Sequence, residues 1–163
     1  MTQVVPAEER HAAGYNAALD AVARERRWLM ILEAPPVERS AAYVRELRAG
    51  AGVQFVAVTD SGEVVGWCDI TRGDRETIAH TGSLGMGLLK EHRGRGLGRK
   101  LVEAALAAAK AQGVERVELE VYASNAAAVT LYRKLGFREE GRKLKARKVD
   151  DAYDDSIVMA LFP

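Results

Sequence analysis

Lys90-Glu91-His92-Arg93-Gly94-Arg95-Gly96-Leu97-Gly98-Arg99-Lys100 joins a strand-like stretch to the strongest helical pattern in the chain. Leu97, Leu101, Ala104, Ala105 and Ala108 recur at helical spacing and Gly113 supplies a stop, which predicts a helix over 97–112. The alternate glycines at 94, 96 and 98 let the backbone bend and let a bulky anion approach its N–H groups. The helix that follows adds unpaired N–H donors and the positive end of its dipole. Arg93, Arg95, Arg99 and Lys100 bring mobile positive charge to the same point. All of this favours a polyphosphate. The dinucleotide pattern G-x-G-x-x-G fails, because Arg99 and Leu101 stand where its third glycine would fall. The triphosphate P-loop fails too, because no Gly-Lys-Ser/Thr follows at the required spacing. A basic, glycine-rich surface turn without a ligand is the competing reading.

Outward from this loop the pattern alternates. A strand is expected from about Ile78 to Lys90, weakened by Gly82, Gly85 and Gly87, which mark a bulge or a close approach of backbone to ligand. Downstream, Val117, Leu119 and Val121 make a strand of Glu115–Tyr122, with Glu118 and Glu120 on its opposite face. Ser124-Asn125 caps a helix carried by Val129, Leu131, Tyr132 and Leu135 and closed by Gly136. Two strands, about Phe137–Val149 and Tyr153–Leu161, follow around an acidic turn. Upstream, a helix is expected over about Ala7–Arg26, a break at Pro35-Pro36, and a second helix over about Val37–Ala49 that ends at Gly50. Val53–Thr59 and Glu63–Ile70 read as a hairpin around Asp60-Ser61-Gly62. The order is mixed α/β, with a strand–helix–strand unit at its centre.

At 163 residues, 48% hydrophobic and 29% charged, the chain fits one compact domain over 1–163 with a substantial core. A formal net charge of +1 gives no global reason to expect nucleic acid or a membrane as partner. Cys68 is the lone cysteine, in the apolar-rich run Val64–Cys68, and reads as a small buried hydrophobe rather than a reactive thiol. No segment approaches the length of a membrane span and no secretory pattern opens the chain, so a cytoplasmic location is expected. His11, His80 and His92 are scattered without metal-ligand spacing, and no metal is inferred.

Arg93-x-x-Gly96-x-Gly98 resembles the (Arg/Gln)-x-x-Gly-x-(Gly/Ala) signature of the GNAT superfamily of N-acetyltransferases. Leu119–Asn125 together with Leu131-Tyr132-Arg133-Lys134-Leu135-Gly136-Phe137 is similar to that family's downstream motif in content and spacing. The likeness is specific from about Leu84 to Phe137. It is nearest to ribosomal-protein alanine acetyltransferases and to bacterial small-amine and amino-acid acetyltransferases. The resemblance implies a mixed, mostly antiparallel central sheet flanked by about four helices. It implies acetyl-CoA as co-substrate, with its phosphates on Arg93, Gly94, Arg95, Gly96, Leu97, Gly98 and Arg99, and a further contact from Asn125. Pantetheine would lie along Met86-Gly87-Leu88, with a backbone N–H near Leu88 polarising the acetyl carbonyl.

In the same resemblance Tyr132 is the acid that protonates the departing thiolate, and Glu120 is the candidate base, with a water chain as the alternative. His80 and Ser83 are weaker candidates. The acceptor is expected to be a primary amine on a small molecule, a protein N-terminus or a lysine. Its pocket would be walled by Trp28, Leu29, Met30 and Pro35-Pro36. Asp150, Asp151, Asp154 and Asp155, around Tyr153, either attract a cationic amine or form a solvated turn. Relatives of this kind commonly form homodimers. A non-catalytic acyl-CoA sensor is the second functional reading; it needs the loop at 93–98 but not Tyr132.

Overall fold

A computed structural model describes residues 1–163. Seven strands form one sheet: β1 (Thr2–Pro6), β2 (Gly52–Thr59), β3 (Val64–Arg72), β4 (Thr81–Leu88), β5 (Arg116–Tyr122), β6 (Arg138–Val149) and β7 (Ala152–Leu161). The spatial order is β1-β2-β3-β4-β5-β7-β6, and every neighbouring pair is antiparallel except β4 and β5. Four helices complete the fold: α1 (Ala12–Arg24), α2 (Val37–Glu46), α3 (Leu97–Ala111) and α4 (Ala126–Lys134). The expected sheet flanked by four helices is therefore present.

Each face of the sheet carries its own core. On one face the apolar stripe of α3, with Leu101, Val102, Ala105 and Ala109 buried, packs on Ala57, Cys68, Ile70, Val117 and Met159. Val129 and Tyr132 of α4 join the same cluster. Burial of a side chain such as Leu101 contributes about 2–3 kcal/mol. On the other face Tyr15, Ala18 and Val22 of α1 and Val44 of α2 pack on Val56, Val64 and Trp67. Alternation along β3 explains the division, since Cys68 and Ile70 point one way and Trp67 the other. Cys68 is fully buried, as its apolar surroundings predicted.

The structure corrects several boundaries. The helix expected from Ala7 begins at Ala12, after a 3₁₀ turn over Glu9–His11, and ends at Arg24. Before it lies β1, which the sequence reading missed; five residues ending in proline become a strand only through antiparallel pairing with β2, Thr2 opposite Thr59. The second helix stops at Glu46, and a π-turn over Leu47–Ala51 carries Gly50 at φ 114°. The strand expected from Ile78 starts at Thr81, because Glu76–Ile78 close a 3₁₀ turn instead. It ends at Leu88, two residues before Lys90, where another short turn begins.

The sheet splits at its middle. β4 and β5 pair only at Thr81–Arg116, Gly82–Val117 and Ser83–Glu118. Beyond Ser83, β4 stays paired to β3 as far as Leu88, while β5 stays paired to β7 as far as Tyr122. Their facing edges separate, and a cleft opens between two half-sheets.

Candidate active site

That cleft has a volume of about 480 Å³. Its strand walls are Leu84–Leu88 on β4 and Glu120–Tyr122 on β5, and its floor includes Asn125, Leu131 and Tyr132 of α4. One end is closed by Arg93, Gly94, Gly96 and Gly98. The roof is the α1–α2 connection, which contributes Trp28, Leu29 and Met30.

The glycine loop has the conformation an anion cradle needs. Gly94 and Gly96 sit at φ 73° and 78°, a left-handed backbone that a side chain would strain, and Gly96 stands directly before α3. At Gly98 a Cβ would meet Met86 Cε at 3.2 Å and Leu88 Cδ1 at 3.4 Å, so a glycine brings the helix start close to β4. The first turn of α3 therefore points free N–H groups toward the end of the cleft. No acidic residue stands in that turn.

Of the residues singled out in the sequence, the fold gathers Met86, Gly87, Leu88, Arg93, Gly94, Gly96, Gly98, Glu120, Asn125 and Tyr132 around the cleft. His80, Ser83 and the expected acceptor wall Pro35-Pro36 do not line it, and three of the expected phosphate ligands stand apart from its wall. Leu97 is buried in the core, Arg95 is exposed, and Arg99 turns along its own helix to Glu103 at 2.7 Å. Arg93 lines the cleft, but its guanidinium is already occupied. Nε donates to the Leu88 carbonyl at 3.0 Å, and Nη1 and Nη2 form a bidentate pair with Glu25 at 2.9 and 2.5 Å. Trp28 Nε1 donates to the same Glu25 carboxylate at 2.7 Å, and the Trp28 ring lies 5.8 Å from the Arg93 guanidinium. The Arg93 side chain thus fastens the roof to the end of β4.

Asn125 caps α4, its Oδ1 accepting from Ala128 N at 3.2 Å. Seven residues on, Tyr132 is buried with its ring edge-to-face against Phe137, centroids 5.6 Å apart. Burial, with nearby Cys68 adding to it, pushes the Tyr132 phenol well above its ordinary value. The phenol therefore keeps its proton at neutral pH, as a proton donor must.

Glu120 has different electrostatics. Its carboxylate accepts from Lys143 Nζ and, at 2.9 Å, from Ser156 Oγ. Lys143 above all, with Ser156 in support, holds it below the usual carboxylate range against the opposing effect of burial. A carboxylate so stabilised is a weak base at neutral pH. Asp69, which the sequence reading did not select, goes the other way. Burial pushes its carboxyl up to about 7, although Tyr43 donates a hydrogen bond to Oδ1 at 3.0 Å. It lies against Gly85, where a Cβ would come within 3.4 Å of Oδ1.

The acidic turn is spent locally. Asp150 pairs with Arg26 at 3.0 and 2.8 Å, Asp151 with Lys148 at 3.5 Å, Asp154 with Ser124, and Asp155 with Arg142 at 3.3 Å. Glu25 and Arg26 were both overlooked in the sequence. They stand 68 and 124 residues from their partners, a separation that leaves no local signal. The chain has no group of three or more His, Cys, Asp and Glu side chains placed to hold a metal ion, and no helix long and apolar enough to cross a membrane.

Residues 20–137, well over half of the chain, match the acetyltransferase (GNAT) family. The chain belongs to the GNAT family. Over 71 residues it is 41% identical to the [Ribosomal protein bS18]-alanine N-acetyltransferase of Escherichia coli (strain K12), covering 44% of this chain and 48% of that one. The chain thus spans about half the length of those GNAT relatives. It is 37% identical over 119 residues to the N-alpha-acetyltransferase RimI of Mycobacterium tuberculosis, covering 69% of this chain and 70% of that protein. Among solved structures, the GNAT acetyltransferase of Streptococcus pneumoniae superposes with a TM-score of 0.93 at 26% identity, covering the whole of both chains. The split sheet with a glycine loop at its end is therefore a GNAT fold, and the cleft is its candidate active site.

Proposed function

We propose that this chain is an N-acetyltransferase that moves the acetyl group of acetyl-CoA directly onto a primary amine, using one domain over 1–163. The observation that carries the reading is the cleft itself: a left-handed glycine cradle at one end, unpaired strand edges along its length, and a protonated, buried tyrosine on its floor. The cradle and the start of α3 suit the pyrophosphate of coenzyme A. The edge of Met86–Leu88 that faces β5, left unpaired beyond Ser83, suits the pantetheine amides, which would lie against it as an added strand, and an N–H near Leu88 would polarise the acetyl carbonyl.

In the reaction the neutral amine attacks the thioester carbon, the carbonyl oxygen gains charge, and the C–S bond breaks as the nitrogen bond forms. Tyr132 gives its proton to the departing thiolate. The amine's own proton leaves through water, because Glu120, paired with Lys143, is too acidic to remove it efficiently. Glu120 serves instead as a fixed negative charge on the acceptor side. The relatives' names point to protein N-termini as acceptors in those proteins. For this chain the acceptor class is an amine that fits beneath Trp28, Leu29 and Met30.

The test is a thermal-shift titration with acetyl-CoA followed by a free-thiol assay over a panel of amines. Acetyl-CoA should raise the melting temperature and at least one amine should release coenzyme A. Stabilisation without thiol release on any amine would favour a sensor of acyl-CoA, and no stabilisation would sink both readings.

A further inference from the structure

The face of the sheet that bears Glu120 is the one on which an acceptor would lie, and it holds one charge that is shielded from solvent without a hydrogen-bond partner. Register places Glu120 and Tyr122 of β5, Asp154 and Ser156 of β7, and Lys143 and Arg147 of β6 on this face. Lys143 is spent on Glu120, and Asp154, directly opposite Arg147 in the ladder, turns to the amide and hydroxyl of Ser124. Asp150, in the adjoining turn, is taken by Arg26. Arg147 is left. Its Nε and Nη2 are shielded from solvent and have no hydrogen-bond partner, although the residue as a whole is only partly buried. Its guanidinium carbon lies 4.9 Å from the centre of the Tyr122 ring, and Tyr122 lines the cleft.

Two guanidinium nitrogens withdrawn from water with no acceptor of their own are costly even with Asp150 and Asp154 close by, and they are retained where an occupant supplies the acceptor. The cation–π contact with Tyr122 holds the guanidinium beside the cleft wall, and preorganisation of this kind is what a bidentate carboxylate partner exploits. The irregularity in β6 between Lys143 and Arg147, with Lys145 at φ 50°, is what swings Arg147 into this position opposite Asp154.

We infer that Arg147 receives the carboxylate of the acceptor, so that the amine acetylated here belongs to an amino acid. This rests on the acetyl-transfer reading above and names the substrate class of the same cleft. The zwitterion would lie along β5, its amine toward the thioester and its carboxylate over Tyr122. Arg147 is then a specificity-determining residue that contributes to acceptor binding and not to donor binding.

The experiment uses the full chain, acetyl-CoA and the free-thiol assay, with each of the common α-amino acids run beside its carboxamide and beside short peptides with a free N-terminus. Wild type should prefer the best acid over its amide by about tenfold or more in kcat/KM. Arg147→Gln should lose about tenfold to a hundredfold on that acid, chiefly in KM, the range for a lost hydrogen bond to a charged group. The same variant should leave the amide within about twofold, and Arg147→Lys should recover part of the loss on the acid. The acetyl-CoA thermal shift should be unchanged in both variants, and if Arg147→Gln does not fold, the wild-type acid-to-amide ratio and Arg147→Lys decide. Amides or uncharged peptides used as well as acids would overturn the inference while leaving acetyl transfer intact. So would a loss in Arg147→Gln that is equal on acid and amide. Absence of any acetyl-CoA shift in wild type would overturn the acetyl-transfer reading and this inference with it.

Discussion

Tyr132 and Asp69 are both buried and burial pushes both toward their protonated forms, yet they have different consequences. Tyr132 lines the cleft, and its proton is the one a departing thiolate would take. Tyr132→Phe keeps the edge-to-face packing on Phe137 and removes only the hydroxyl. It should lower kcat by about a hundredfold, the usual scale for losing a positioned acid, with acetyl-CoA affinity within about twofold in a calorimetric titration. Full activity would show that another group protonates the thiolate. Asp69 makes its prediction in stability. Its folded value of about 7 lies above the ordinary carboxylate value of about 4, so the fold favours the protonated form. The associated stabilisation is complete below about pH 4 and is lost as pH rises through about 7. Asp69→Asn, which keeps an acceptor for the Tyr43 hydroxyl, should therefore melt above wild type at pH 8, by an amount that shrinks toward pH 5. A melting difference that does not change with pH would refute the assignment.

Among the elements, the α1–α2 connection is the one whose attachments matter most. Consecutive residues reach opposite sides of the cleft, Glu25 to Arg93 beside the donor loop and Arg26 to Asp150 in the β6–β7 turn. Arg26 and Asp150 both take left-handed backbone angles, φ 59° and 51°, to make that second link. Trp28, which shares Glu25 with Arg93, is thereby held over the cleft together with Leu29 and Met30. Glu25→Gln removes the charge from the bidentate pair while keeping its shape. The expected result is a several-fold higher KM for the amine, faster amide exchange over residues 27–33, and acetyl-CoA affinity within about twofold. Weaker acetyl-CoA binding with an unchanged amine KM would instead make Arg93 a phosphate ligand released from Glu25.

For the whole molecule, the cleft exists because two half-sheets share only three residue pairs at the β4–β5 seam. A ligand lying between them replaces missing strand contacts and joins the two halves, so its binding energy becomes folding stability. At a hundredfold excess over Kd, acetyl-CoA should add about 2.7 kcal/mol. For a chain of this size that is about 5–10 °C in melting temperature. Scanning calorimetry with and without the ligand reads it directly.

Much of this was legible from residues 84 to 137. The period of Leu97–Ala108, the stop at Gly113, the cap at Asn125 and the alternation of Val117, Leu119 and Val121 are local signals, and each element formed where its pattern lies. The glycine spacing of the loop was local as well, because the left-handed angles at Gly94 and Gly96 are a property of the backbone there. Tertiary structure decided the rest. β1 becomes a strand only by pairing with a distant segment, Thr2 with Thr59 through Pro6 with Phe55. Arg93 is paired with Glu25 at the end of α1 and Glu120 with Lys143 of β6, and neither pairing has a local signal in the sequence. A side chain's charge state and freedom are set by what packs against it, and those neighbours come from distant parts of the chain. The sequence determined where an anion could be held; the fold determined which charges remain free to meet a substrate.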